Sequence, residues 1–202
     1  MKPLILASSS PWRQQILAMA GLSCQALAPD VDEERITAPA PGALAVARAR
    51  AKAVDVARRA PGALVIGADQ VAHLDGEAFG KPRDDLDWIT RLRALRGRTH
   101  TLTTGVALAE EGEVETFEVH TNVRFRADLS DAELLAYVAI GEARGCAGGY
   151  QAEHRGAWLI EAIDGDWWNV IGLPLFPLIG RLRARGWRLS EALVAPPRPP
   201  PG

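Results

Sequence analysis

The sequence predicts an α/β fold, with helices layered on a sheet that combines buried strands and antiparallel hairpins. Three observations lead there. Short apolar runs at Leu4–Ala7 and residues 63–67 read as buried strands. Alanine-rich or capped stretches with helical spacing lie between the strand signals. Asp75-Gly76 and Glu111-Gly112 mark hairpin turns.

Taken in order, Leu4–Ala7 stops at Ser8-Ser9-Ser10, and Pro11 opens a helix whose apolar residues are Ile16, Leu17 and Ala20. Ser10 is placed to cap it, and Pro11 suits the first helical position because its missing N–H has no partner there anyway. A second strand covers 24–28, followed by an acidic loop with Asp30, Asp32, Glu33 and Glu34. Residues 43–59 form a long amphipathic helix. The buried strand at 63–67 ends in Ala68-Asp69-Gln70, and 71–74 leads into the first hairpin turn. A helix over 84–95, a strand over 99–109 and a hairpin partner over 117–125 follow. Ser130 with Glu133 is a capping box for a helix ending near Ile140. The chain closes with a glycine-rich loop at 145–149, a strand at 157–163 and a helix at 175–185. The expected organisation is a single domain over 1–194, and 195–202, mostly proline, is expected to be an extended solvated tail.

Composition narrows the function. The 202 residues suit one well-buried domain or one with two lobes around a cleft, and 48% hydrophobic with 24% charged residues is ordinary for a globular chain. A net charge of -2 asks for no nucleic acid or anionic membrane, so any phosphate-binding charge must be local. Cys24 and Cys146 lack the spacing of a zinc ribbon or redox motif, which suits a reduced cytoplasmic setting. The apolar start is too short for a secretory signal, and no stretch reaches membrane-spanning length.

Ser8-Ser9-Ser10-Pro11-Trp12-Arg13 places hydroxyls, free N–H groups and a guanidinium where a strand enters a helix, the arrangement of an anion site. Plain capping with a solvated Arg13 explains the segment equally well. Asp69, at the end of its strand, stands where a general base or metal ligand belongs in an open α/β sheet, although on its own an aspartate there is more often a turn former. Glu33 offers a second carboxylate for a hard cation. Lys52 and Lys81 can neutralise a polyphosphate. The segment 76–82 fails as a phosphate-binding Walker loop, because three residues separate Gly76 from Gly80 and Pro82 replaces the hydroxyl residue. His73, His100, His120 and His154 show no zinc spacing, and Arg91, Arg93, Arg96 and Arg98 lack the aromatic residues of an RNA surface.

Together these segments resemble the Maf family of nucleotide pyrophosphatases. The likeness is carried by Ser8 through Arg13, Val31-Asp32-Glu33, Lys52-Ala53, Gly67 through Gln70, Gly80-Lys81-Pro82, Gly97 through His100, Thr104-Gly105, Ala147 through Tyr150, and Asn169 through Pro174. The resemblance implies a two-lobed mixed α/β fold, a twisted sheet flanked by helices with a central cleft. It also implies hydrolysis between the α and β phosphates of a nucleoside triphosphate, a divalent cation (Mg, Mn or Co), and a possible homodimer. It gives Asp69 the role of general base and metal contact, Glu33 that of a metal-associated carboxylate, and Ser8, Ser10, Arg13, Lys52 and Lys81 that of phosphate binding. Trp12, Gln70 and Glu153 resemble the 7-methyl-GTP subgroup rather than members acting on dTTP and UTP. Gln14-Gln15 and Ala68 depart from the common pattern without removing a catalytic group. A nucleotide-sensing regulator of septum formation and a nucleic-acid-binding module are the rival readings.

Overall fold

The computed structural model describes residues 2–192, so the proline-rich 195–202 lie outside the described residues. Seven strands form one mixed sheet: β1 (Leu4–Ala7), β2 (Gln25–Ala26), β3 (Leu64–Leu74), β4 (Glu77–Phe79), β5 (Thr99–Glu110), β6 (Glu113–Phe125) and β7 (Ile160–Asp164). Their order is β2-β1-β3-β5-β6-β7, with β4 paired to β3. β1 runs parallel to β2 and β3, whereas the pairs from β3 to β7 are antiparallel.

The helices are α1 (Pro11–Met19), α2 (Pro41–Arg59), α3 (Asp85–Leu95), α4 (Asp131–Ile140), α5 (Trp167–Ile171), α6 (Leu175–Ala184) and α7 (Leu189–Ala192). α2 covers one face of the sheet through Ala49, Ala53 and Val56, which meet Ile5, Val65 and Ala107. On the opposite face, Ile16 and Leu17 of α1 and Leu178 and Leu182 of α6 bury Leu4, Leu6, Ile66 and Val106. A third cluster lies toward the other end of the long strands, where Ala72, Leu102, Val123 and Phe125 meet Trp88 and Leu92 of α3 and Leu134 and Tyr137 of α4. Burial of both faces explains why the first half of β3 is an unbroken apolar run.

β3 differs instructively from expectation. It continues without a break through Asp69 to Leu74, and it is β1 that ends, at Ala7 opposite Gly67. β4 takes up the same edge again only at Ala72. Residues 68–71 of β3 therefore have no strand on that side, although β5 pairs with them continuously on the other. This gap lies beyond the carboxyl end of β1, the usual ligand position in such sheets. It also opens the alternating side chains of Asp69 and Gln70 to one crevice.

Other boundaries shift for local reasons. α2 begins at Pro41, in the first helical position, two residues before the expected start. β2 shortens to two residues, β6 starts at Glu113, and Arg155–Leu159 form a 3₁₀ turn ahead of β7. Two short elements escaped the periodic pattern and depend on aspartate caps. Asp32 accepts from the Glu34 N–H in the 3₁₀ turn Glu33–Arg35, and Asp166 accepts from the Trp168 N–H at the start of α5. The capping box at Ser130 and Glu133 forms as expected.

His100 is a polar residue packed against the aromatic side chains of the third cluster. It is buried, with Nε2 2.8 Å from the Tyr150 hydroxyl and its ring edge-on to Phe125 and Tyr150. Burial pushes its pKa down to about 4, with a smaller push from His73. The unfolded chain holds more protons than the folded one between about 6.5 and 4, so this contribution is complete above that window and is lost as pH falls through it. Denaturant titrations at pH 7 and pH 4.5 are expected to show the stability of the protein relative to His100→Phe falling by roughly 2 kcal/mol at the lower pH. A pH-independent difference would show that His100 is not held neutral.

Candidate active site

The site begins at the junction of β1 and α1. The Ser10 side chain caps nothing, contrary to the expectation from sequence. Instead the buried Ser8 hydroxyl accepts from the Ser10 N–H at 3.1 Å and from Arg13 Nη1 at 3.4 Å. Arg13 Nη1 also donates to the Ala68 carbonyl at 2.8 Å, filling the gap on β3, while Nε donates to the Gly172 carbonyl at 2.9 Å. Burial pushes the Arg13 pKa down, and the charges of Asp69 and Glu33 oppose that shift. The guanidinium thus ties α1, β3 and the turn after α5 together.

The carboxylates are organised by α2. Gly67 and Gly105 let this helix approach the sheet so closely that a Cβ on either would lie within 2.4 Å of α2 backbone atoms. That approach carries the buried Lys52 ammonium to 2.7 Å from Asp69 Oδ1 and 2.9 Å from Glu33 Oε2. Arg48, one helical turn earlier, places Nη1 3.9 Å from Asp69 Oδ2 and donates from Nε to the Glu33 carbonyl at 3.1 Å. Burial pushes the Glu33 carboxyl up, but the Lys52 hydrogen bond and charge, with Asp69 and Arg48, bring it below its ordinary value. Asp69 Oδ2 is buried and receives no hydrogen bond, since Arg48 is only at charge-contact distance. A buried carboxylate oxygen without a donor is costly, and it belongs to a residue that lines the crevice, so a water or a cation there is the partner it lacks.

Trp12, Gln70 and Glu153 line the same crevice. Trp12 is half-buried, its ring 5.4 Å from that of His154 at 62°. The Gln70 amide nitrogen donates to Thr104 Oγ1 at 3.1 Å and to the Asn169 carbonyl at 2.5 Å. Asn169, fully buried, is fixed by donating to Thr121 Oγ1 and to the carbonyls of Leu102 and Val119. Burial raises the Glu153 carboxyl, and Glu142 raises it further, against the pull of its own backbone N–H and of His154. Lys81 is exposed at the rim, where Arg91 holds the Gly80 and Lys81 carbonyls.

All ten residues singled out from sequence line one cavity of about 520 Å³. Arg48 was missed, although its spacing of four from Lys52 places both cations on one helical face. Glu142, Cys146, Tyr150 and Gly172 line the same cavity but carried no assigned role.

The sequence profile of the Maf-like protein family matches residues 3–185. The chain belongs to the Maf family. It is 47% identical over 185 residues to the nucleoside triphosphate pyrophosphatase of Streptomyces coelicolor, covering 90% of this chain and 89% of that protein. It is 42% identical to the dTTP/UTP pyrophosphatase of Symbiobacterium thermophilum, covering 93% and 96%, and 40% identical to the 7-methyl-GTP pyrophosphatase of Rhizobium etli, covering 91% and 96%. Among solved structures, the Staphylococcus aureus Ham1 protein overlaps 62% of this Maf chain and 73% of its own at 15% identity, with a TM-score of 0.41. Among the described residues no helix is long and apolar enough to cross a membrane, and no group of three or more His, Cys, Asp or Glu gathers as a metal site.

Proposed function

We propose that this Maf chain is a nucleoside triphosphate pyrophosphatase, cleaving the α–β phosphate bond to release monophosphate and pyrophosphate, with 7-methyl-GTP as its substrate. The observation that carries the reading is Asp69 Oδ2, a buried acceptor without a donor, set beside Lys52 and Arg13 in the cavity that also holds Trp12 and Glu153.

In this reading Asp69 orients a water and takes its proton as the oxygen attacks phosphorus. Lys52, Arg13 and Lys81, with the Ser8 and Ser10 segment, bind the triphosphate and stabilise charge on its oxygens. Asp69 and Glu33 suit a hard divalent cation, because Mg²⁺-type ions are commonly held by one or two carboxylates plus substrate phosphates and water. Two carboxylates served by one lysine fit that donor set. The cation would supply further neutralisation of the phosphate oxygens.

Base choice rests on charge. Methylation at N7 makes guanine cationic, which favours stacking on the Trp12 indole and pairing with Glu153. A carboxyl pushed up by burial gains most from a cationic partner. Pyrimidine triphosphates are the alternative, since relatives named for dTTP/UTP match to a similar degree. Pyrophosphate release by the purified protein with magnesium or manganese is expected to rank 7-methyl-GTP above GTP, dTTP and UTP. The double variant Trp12→Arg with Glu153→Gln is expected to lower kcat/KM for 7-methyl-GTP relative to GTP by about 10- to 100-fold. An unchanged ranking in the double variant would remove the base-recognition part of the reading, while absence of pyrophosphate release from any triphosphate would remove all of it.

A further inference from the structure

Glu153 and His154 lie in the loop between Gln151 and Gly156, and the two flanks of that loop are held by a single residue outside it. Glu142 accepts from Gln151 Nε2 through its main-chain carbonyl at 2.7 Å. Its carboxylate accepts from the Gly156 N–H at 3.2 Å and pairs with Arg155 Nη1 at 3.4 Å. The Glu142 side chain is only 12% exposed, although Arg155 is largely solvated, so the bond to Gly156 is the sheltered part of the clamp.

Two further contacts hold the loop, one from α4 and one within the loop itself. The Gln151 N–H donates to the buried Tyr137 hydroxyl at 3.0 Å. Gly156 sits so near Gln151 that a Cβ there would fall 2.4 Å from the Gln151 carbonyl oxygen. The loop is thus a short closed turn with both ends anchored, and the His154 ring on it meets that of Trp12. A recognition group discriminates between bases only if its position is fixed before binding, and a shift of about 1 Å can cost two orders of magnitude in rate.

We infer that Glu142 is a positioning residue for base recognition, clamping the Gln151–Gly156 loop so that Glu153 faces the base held against Trp12. The inference rests on the proposed pyrophosphatase reading for its substrate, but the clamp has a readout of its own. Removing the Glu142 carboxylate frees the Gly156 N–H, whereas glutamine retains an acceptor for it and loses only the charged pair with Arg155.

The test compares Glu142→Ala and Glu142→Gln with the unaltered full chain. Hydrogen exchange at the Gly156 amide, read in the free protein, is expected to speed up about tenfold or more in Glu142→Ala and to remain close to the original rate in Glu142→Gln. In steady-state assays, KM for 7-methyl-GTP is expected to rise about tenfold in Glu142→Ala with kcat within about twofold, and preference over GTP to shrink in step. Unchanged exchange at Gly156 in Glu142→Ala would overturn the clamp. Faster exchange with an unchanged ratio of kcat/KM for 7-methyl-GTP over GTP, which includes an equal loss on every triphosphate, would overturn its role in selectivity. Should the unaltered protein prefer another triphosphate, the proposed substrate falls, and the selectivity comparison is made on the preferred one with the same criteria.

Discussion

Asp69→Asn is expected to lower pyrophosphate release by about 10³-fold while leaving a folded protein, the loss typical of removing a positioned base. The substitution is nearly isosteric. Its amide oxygen can replace Oδ1 as the acceptor 2.7 Å from Lys52, whose ammonium also keeps Glu33 at 2.9 Å. What disappears is the second carboxylate oxygen, the buried Oδ2 that no protein donor satisfies. An amide nitrogen at that point can neither take a proton from water nor bind a cation. Thermal unfolding monitored beside the kinetics separates this loss from misfolding, because one carboxylate still pairs with the buried lysine. A rate within tenfold of the original in a fully folded Asp69→Asn would remove Asp69 as the base and leave Glu33 as the next carboxylate to test. Arg48 offers a second check. Arg48→Met should weaken the hold on the Glu33 carbonyl and remove the charge 3.9 Å from Oδ2, so activity should fall less steeply than in Asp69→Asn.

The α/β class, the hairpins and most helices were legible because each follows from a local rule: a buried run for β1, a capping box for α4, a turn pair between β5 and β6. The ten candidate side chains were also legible, but mainly through resemblance. Taken alone, Asp69 reads better as a turn former and Lys81 as a surface charge. What sequence could not supply was the gap between β1 and β4 on the edge of β3, because strand pairing is decided by partners distant in the chain. Asp69 was therefore expected at a strand end, whereas the end that matters belongs to β1. The serines show the same limit. Capping by Ser10 is a local expectation, but Arg13 reaching Ala68 and Gly172 draws the Ser8 hydroxyl into a long-range network, and Ser10 contributes its N–H instead. Asn169, whose side chain joins β5 to β6 beneath Gln70, has no local signature.

Gly105→Ala should damage stability and activity together, although it adds one methyl group outside the cavity lining. Gly105 is the β5 partner of Asp69, and a Cβ there would fall 2.4 Å from the Ala45 carbonyl carbon and the Val46 nitrogen. Those atoms are backbone of α2, so no side chain can rotate to make room and the helix itself must move. Overpacking of this kind costs about 3 kcal/mol, which for a chain of this size corresponds to a fall of roughly 10 °C in the unfolding midpoint. The helix that moves carries Lys52 and Arg48, and a displacement of about 1 Å at the Lys52–Asp69 contact should reduce kcat/KM by about 10²-fold. Gly112→Ala is the matched control. Gly112 has a left-handed φ of +89° with open space around it, in the turn between β5 and β6. Alanine there should cost roughly 1 kcal/mol through backbone strain and leave catalysis unchanged below the unfolding transition. If Gly105→Ala instead keeps full activity while losing stability, α2 can retreat from the sheet without disturbing the ion pairs, and the glycine contact would set the packing of the helix but not the geometry of the site.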